Sequence, residues 1–133
     1  MRFMLLQDYG GVESDTEPMS RWTQDEVKAH IDFQRRLNAE LREHGELIAA
    51  EALTAPDQAK TVVSDGSAAP VVTDGPYPES KELLAGYRMV DVESVERAIE
   101  IAARASAAPG QGGAPIRQRI EVREVMSPLG DDV

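Results

Sequence analysis

Hydrophobic positions recur along this chain with two periods, close to two and close to three and a half residues. The changes between them predict six strands and two helices. Residues 1–8, MRFMLLQD, are short and mostly apolar and suit a buried strand. Residues 9–22 hold two Gly, a Pro and several acids and read as a loop. Thr23 to Glu26 has the form of a capping box, with the Thr hydroxyl and the Glu carboxylate each taking a backbone N–H. The helix it opens runs to about His44 and stops at Gly45. Val27, Phe33, Leu37 and Leu41 form its apolar stripe, and Trp22 is placed to staple against Val27. Residues 46–53 make a second strand. KTVV and PVVT, within 60–73 and around Ser64 to Ser67, make a hairpin. Residues 81–92 read as a longer strand. Val95, Ala98, Ile99, Ala102 and Ala105 then recur at helical spacing, behind a cap at Ser94 or Asp91 and ahead of Pro109-Gly110. PGQGGAP, 109–115, reads as a flexible loop. Arg119 to Met126 is a last strand, with Ile120, Val122 and Met126 on one side and Arg119, Glu121 and Arg123 on the other. Residues 127–133 form a frayed tail behind a single domain of residues 1–126.

Strand, helix, strand, hairpin, strand, helix, strand is an α+β arrangement. It is a ferredoxin-like βαββαβ unit with an inserted β-hairpin, its two helices on one face of a four-stranded antiparallel sheet. The other face should be polar if it met water. Yet Leu83, Ala85, Tyr87 and Met89 point one way on the 81–92 strand while Leu84, Gly86, Val90 and Val92 point the other. On the first strand Met1, Phe3 and Leu5 likewise oppose Met4 and Leu6. A second cover is therefore needed. A twin subunit supplies it, giving a homodimer joined through its sheets; the competing arrangement folds the hairpin over the open face.

Composition narrows the chemistry. The 133 residues contain no Cys, which excludes disulfides, thiolate metal sites and Cys nucleophiles and suits a cytoplasmic setting. With 24 acidic against 14 basic residues the net charge is -10, and the densest basic cluster, Arg35-Arg36 with Arg42, is interleaved with Glu40 and Glu43. That pattern is a solvated helix face, so no nucleic-acid partner is expected. No window spans a bilayer, so no membrane partner is expected either. Two His without metal spacing make no zinc site. There is no phosphate-binding Gly loop after a strand and no nucleophile elbow, so neither a metal nor a cofactor is expected.

The stretch VTDGPYPESKELLAGYRMVDVESVERAIEIA resembles the core signature of the DGPF branch of the YCII-related proteins. It matches at Asp74, Gly75, Pro76, Glu79, Lys81, Glu82 and Gly86, with Tyr77 where the branch has Phe. The likeness extends to the first strand, the helix closing at Gly45, the Glu51–Leu53 strand end and IEVRE at 120–124. The resemblance implies a ferredoxin-like subunit that dimerises into an α/β barrel, small, bacterial and cytoplasmic. Some genes of the branch lie near alternative sigma factors, which implies a regulatory setting. Relatives in the wider group carry a proposed His–Asp pair, which is not carried over here. His30 lies farther from Gly45 than that spacing wants and Gln34 falls nearer the place. The turn Ser106-Ala107-Ala108-Pro109 has no Asp.

Two functional classes follow. The first is a dimeric module binding a small anionic ligand or a regulatory protein. In it the stiff turn aims Asp74 and Tyr77 into a cleft while Lys81 and Arg123 hold the anion. The second is a small isomerase, lyase or hydrolase acting on an anionic metabolite, with Asp74 or His30 moving a proton. Each residue also has a plainer part to play: Asp74 as a turn cap, Lys81 in an exposed ion pair, Arg123 in a salt bridge between subunits and His30 as a hydrogen-bonded packing residue.

Overall fold

Four strands pair antiparallel and two more form a hairpin, as the split βαβ reading expects. In the computed structural model, which describes residues 1–9, 19–75 and 83–126, the elements are β1 (Arg2–Tyr9), α1 (Gln24–Glu43), β2 (Leu47–Ala52), β3 (Lys60–Val63), β4 (Val71–Asp74), β5 (Leu83–Asp91), α2 (Val95–Ser106) and β6 (Ile120–Glu124). Four of the strands form an antiparallel sheet in the order β2-β5-β1-β6, and β3 and β4 form a separate two-stranded sheet. The main sheet is open, so a single chain makes no closed barrel.

Both helices start where side chains satisfy their first N–H groups. Thr23 Oγ1 accepts from the Glu26 N–H at 3.1 Å and Glu26 Oε1 accepts from the Thr23 N–H at 2.8 Å, which is the reciprocal capping box. Ser94 rather than Asp91 caps α2, accepting from the Arg97 N–H at 3.2 Å. Gly45 takes a positive φ of 72° directly after α1, a conformation that glycine adopts without strain.

The core lies between the helices and one face of the sheet. Phe3, Leu5, Val90 and Val92 from the strands meet Leu37 and Leu41 of α1 and Ala98, Ile101, Ala102 and Ala105 of α2. Each large side chain buried there contributes about 1.5–3 kcal/mol relative to exposure. The α2 stripe differs from the expected one. Val95 and Ile99 are exposed and Ile101 is fully buried, because the crossing of α2 over β1 and β6 turns the 98/101/102/105 face inward. Arg97 fastens the start of α2 to the junction between α1 and β2. Its Nε and Nη2 donate to the two Glu46 carboxylate oxygens at 2.9 and 2.8 Å.

Three further expectations change. The last strand ends at Glu124, and Met126 is exposed beyond it. The 109–115 segment is a tight clip: Gly110 N–H donates to Ala114 O at 2.7 Å, Pro109 bridges Pro115, and Gly112 N–H reaches the Glu26 carboxylate at the head of α1. The hairpin does not lie over the open sheet face, since Val62, Val63, Val71 and Val72 are each more than half exposed.

Candidate functional site

Strand β5 carries a charge where the alternation calls for an apolar side chain. Arg88 stands opposite Leu5 of β1 and Ala50 of β2, in phase with Val90, so it points under α1. It is 3% exposed. Toward β2 and the start of β5 its neighbours on that face are small, Ala50, Gly86 and Ala52, and Ala52 is exposed at the end of β2. A side chain at Gly86 would have no room: a Cβ there would stand 2.7 Å from the Glu51 carbonyl oxygen and 3.4 Å from Gln7 Oε1.

Above Arg88, α1 presents His30, Gln34 and Asn38, each one helical turn after the last and so on one ridge. Arg88 Nε donates to Asn38 Oδ1 at 2.8 Å, and Nη2 donates to Gln34 Oε1. These contacts orient the Gln34 amide. With its oxygen on Arg88, its NH2 faces His30 Nε2 at 3.4 Å, so that nitrogen accepts and Nδ1 carries the proton. Nδ1–H then donates to the Pro109 carbonyl at 3.0 Å. Donation therefore runs one way, from Arg88 through Gln34 and His30 to the 109–115 clip. Trp22 meets the His30 ring edge-on, with centroids 5.5 Å apart and planes at 70°. Its ring also packs on Gly110, where an added Cβ would lie 3.2 Å from Trp22 and 2.5 Å from Ile116.

The electrostatics of Arg88 are one-sided. Burial pushes its guanidinium down to about 10. Among the described residues no carboxylate lies within ion-pair distance of it, and its two acceptors are neutral amides. Asn38 and Gln34 take the Nε and Nη2 edge of the fork. Among the described residues no partner takes the donors at its far end.

Of the residues singled out in the sequence, Asp74 and Arg123 lie away from Arg88. Asp74 ends β4, opposite Lys60, and forms an ion pair with it at the base of the hairpin. Gly75 there has φ 72° and donates its N–H to Ala59 O. Both partners of the ion pair are well exposed. Arg123 is exposed on the edge strand β6, 3.8 Å from Glu121. Asp74 and Arg123 thus answer separate neighbours on separate sheets. Tyr77 and Lys81 lie outside the described residues. His30 joins the Arg88 ridge, and Trp22 packs on its ring. Sequence reasoning missed Arg88 and Asn38. The available signal was a cation in register with Val90 and Val92, on the face that strand alternation assigns to the core.

A shallow open groove lies along the other flank of α1, lined by Trp22, Val27, Lys28, Ile31, Asp32 and Arg35. Among the described residues no group of three or more His, Asp or Glu is placed to hold a metal ion, and no helix is long and apolar enough to cross a membrane.

The YCII-related domain family matches residues 1–122, nearly the whole chain, and the chain belongs to that family. No curated protein matches it.

Proposed function

We propose that this YCII-related protein is a binding module for a small anion, which it takes at Arg88, and that it works as a homodimer. The observation that carries the first part is a guanidinium buried without a countercharge among the described residues. A buried cation lacking an anionic partner is costly to the native state, so a fold that keeps one has a use for an anion there. Arg88 replaces Lys81 and Arg123 as the anion holder in this reading. His30 acts as a support rather than as a base, since both its ring nitrogens face partners. That favours binding over the isomerase, lyase or hydrolase alternative.

The dimer reading rests on the open sheet face. Met4 stands opposite Met89 and Leu6 opposite Tyr87 at its centre, while Glu51 lies at the β2 edge and Glu121 and Arg123 at the β6 edge. An apolar centre with a charged rim is the usual anatomy of a protein interface. Two such faces laid together would form the dimeric barrel.

A melting-temperature screen against small carboxylates and phosphates tests the anion site, because a ligand that binds only the native state raises the melting point. At least one such anion is expected to stabilise the wild type and Arg123→Met but not Arg88→Met. Stabilisation that survives Arg88→Met, or that no such anion produces, overturns the reading.

A further inference from the structure

Among the described elements the hairpin exposes most of its apolar side chains. Val62 pairs with Val72 and Val63 with Val71, so each face of the ribbon carries one cross-strand valine pair. The four are 59%, 55%, 65% and 63% exposed, in that order. Both faces are therefore wet. A two-stranded ribbon without a third strand or a helix against it is marginal in water, yet this one is organised at both ends. At its tip, Asp65 Oδ1 accepts from the Ser67 and Ala68 N–H groups at 2.9 and 3.0 Å. At its base, Lys60 meets Asp74, and Thr61 Oγ1 donates to Gly75 O at 3.2 Å. The arm is a pre-shaped apolar surface that no described residue covers.

We propose that the β3–β4 arm is a dimerisation arm whose valines pack on a second copy of this chain. Three features select that occupant. The first is charge. Two copies at -10 each repel, and from Thr61 to Thr73 the arm has a single charged side chain, Asp65. The arm is thus a place where two copies can meet without bringing carboxylates together. The second is complementarity within the chain. The arm leaves the body next to β5, through the turn at Pro56–Gln58, and the same body offers the uncharged Met4, Leu6, Tyr87 and Met89 surface. The third is area. All four valines are more than half exposed, one pair on each face of the ribbon. Two arms related by a two-fold axis present twice that surface, and it adds to the open sheet faces toward the roughly 1,200–2,000 Å² of a stable interface. The inference rests on the homodimer of the preceding section and adds the arm to it.

The test separates the two. Sedimentation over a wide concentration range is run on the wild type, on the quadruple variant Val62→Thr, Val63→Thr, Val71→Thr, Val72→Thr, and on Met89→Glu, with amide exchange followed at residues 61–73. Threonine keeps the β-branched shape and the ribbon. The arm reading expects the quadruple variant to dimerise at least tenfold more weakly, and the 61–73 amides to be protected in the wild-type dimer and not in the variant. A quadruple variant that dimerises as the wild type does, while Met89→Glu is monomeric, overturns the arm and leaves the sheet contact standing. The reverse pattern keeps the arm and removes the sheet contact. A wild type that is monomeric throughout overturns both, whether its arm is protected by its own chain or not.

Discussion

Arg88 Nε donates to Asn38 Oδ1 at 2.8 Å, so a strand cation and a helix amide meet inside the molecule with no carboxylate between them. The helix holds the guanidinium in place without neutralising it. That arrangement positions a charge at a cost in stability, and the cost is measurable.

Burial lowers the Arg88 guanidinium from its ordinary value to about 10. The folded value lies below the unfolded one, so the native state is penalised by about 3 kcal/mol wherever the group is charged in both states. The penalty is full below about pH 10 and is relieved as the pH rises from there toward the ordinary guanidinium value. Arg88→Met removes the charge but leaves two amide oxygens without their donor. Chemical denaturation at pH 7 is expected to show a variant as stable as the wild type or about 1 kcal/mol more so. A loss above about 2 kcal/mol would mean that the guanidinium holds the fold together.

Glu46 behaves in the opposite sense. Hydrogen bonds from Arg97 hold its carboxyl below the usual range. A depressed folded value stabilises the protein above the unfolded value near 4.5, and that stabilisation is lost as the pH falls through the folded value. Glu46→Gln is expected to cost about 1–2 kcal/mol at pH 7. The gap between variant and wild type should narrow steadily below pH 4.5 in melts run across that range. A gap that does not change with pH removes the ion pair from the account.

Gly86 is required by close approach, since its φ is not in the left-handed region. Gly86→Ala drives a Cβ into the Glu51 carbonyl, so β2 and β5 must part. The expected loss is about 2–3 kcal/mol in urea. Gly110→Ala meets Ile116 and Trp22 instead. Because Trp22 is the only tryptophan, a displaced ring should show as a red-shifted emission. An unchanged spectrum would place Trp22 away from the clip.

The capping box links two distant segments, because Glu26 accepts from both Thr23 and Gly112. These bonds hold its carboxyl below the usual range, Gly112 foremost. Thr23→Ala is expected to cost about 1 kcal/mol. A larger loss, with faster amide exchange at 111–114, would show that the cap also holds the clip.

The elements were legible because each rests on local chemistry. The Thr23 box, the Gly45 stop and the valine-rich hairpin are readable from a few consecutive residues. The face of α2 was less so: Ile99 and Ile101 are both apolar, and only the crossing over β1 and β6 decides which is buried. The site was the least legible part. The turn from Asp74 to Tyr77 reads either as a cap or as aiming Asp74 and Tyr77 into a cleft; Asp74 pairs with Lys60 at the foot of an arm, and Tyr77 lies outside the described residues.

What the sequence by itself determined is the succession of strands and helices, the family and the two-sided apolar character of the sheet, because periodicity and capping act over a few residues. Only the tertiary structure decided which charge lies inside. Asn38 and Arg88 are 50 residues apart, and whether Arg88 meets an amide, a carboxylate or water depends on how α1 lies across β5. No short-range pattern encodes that crossing.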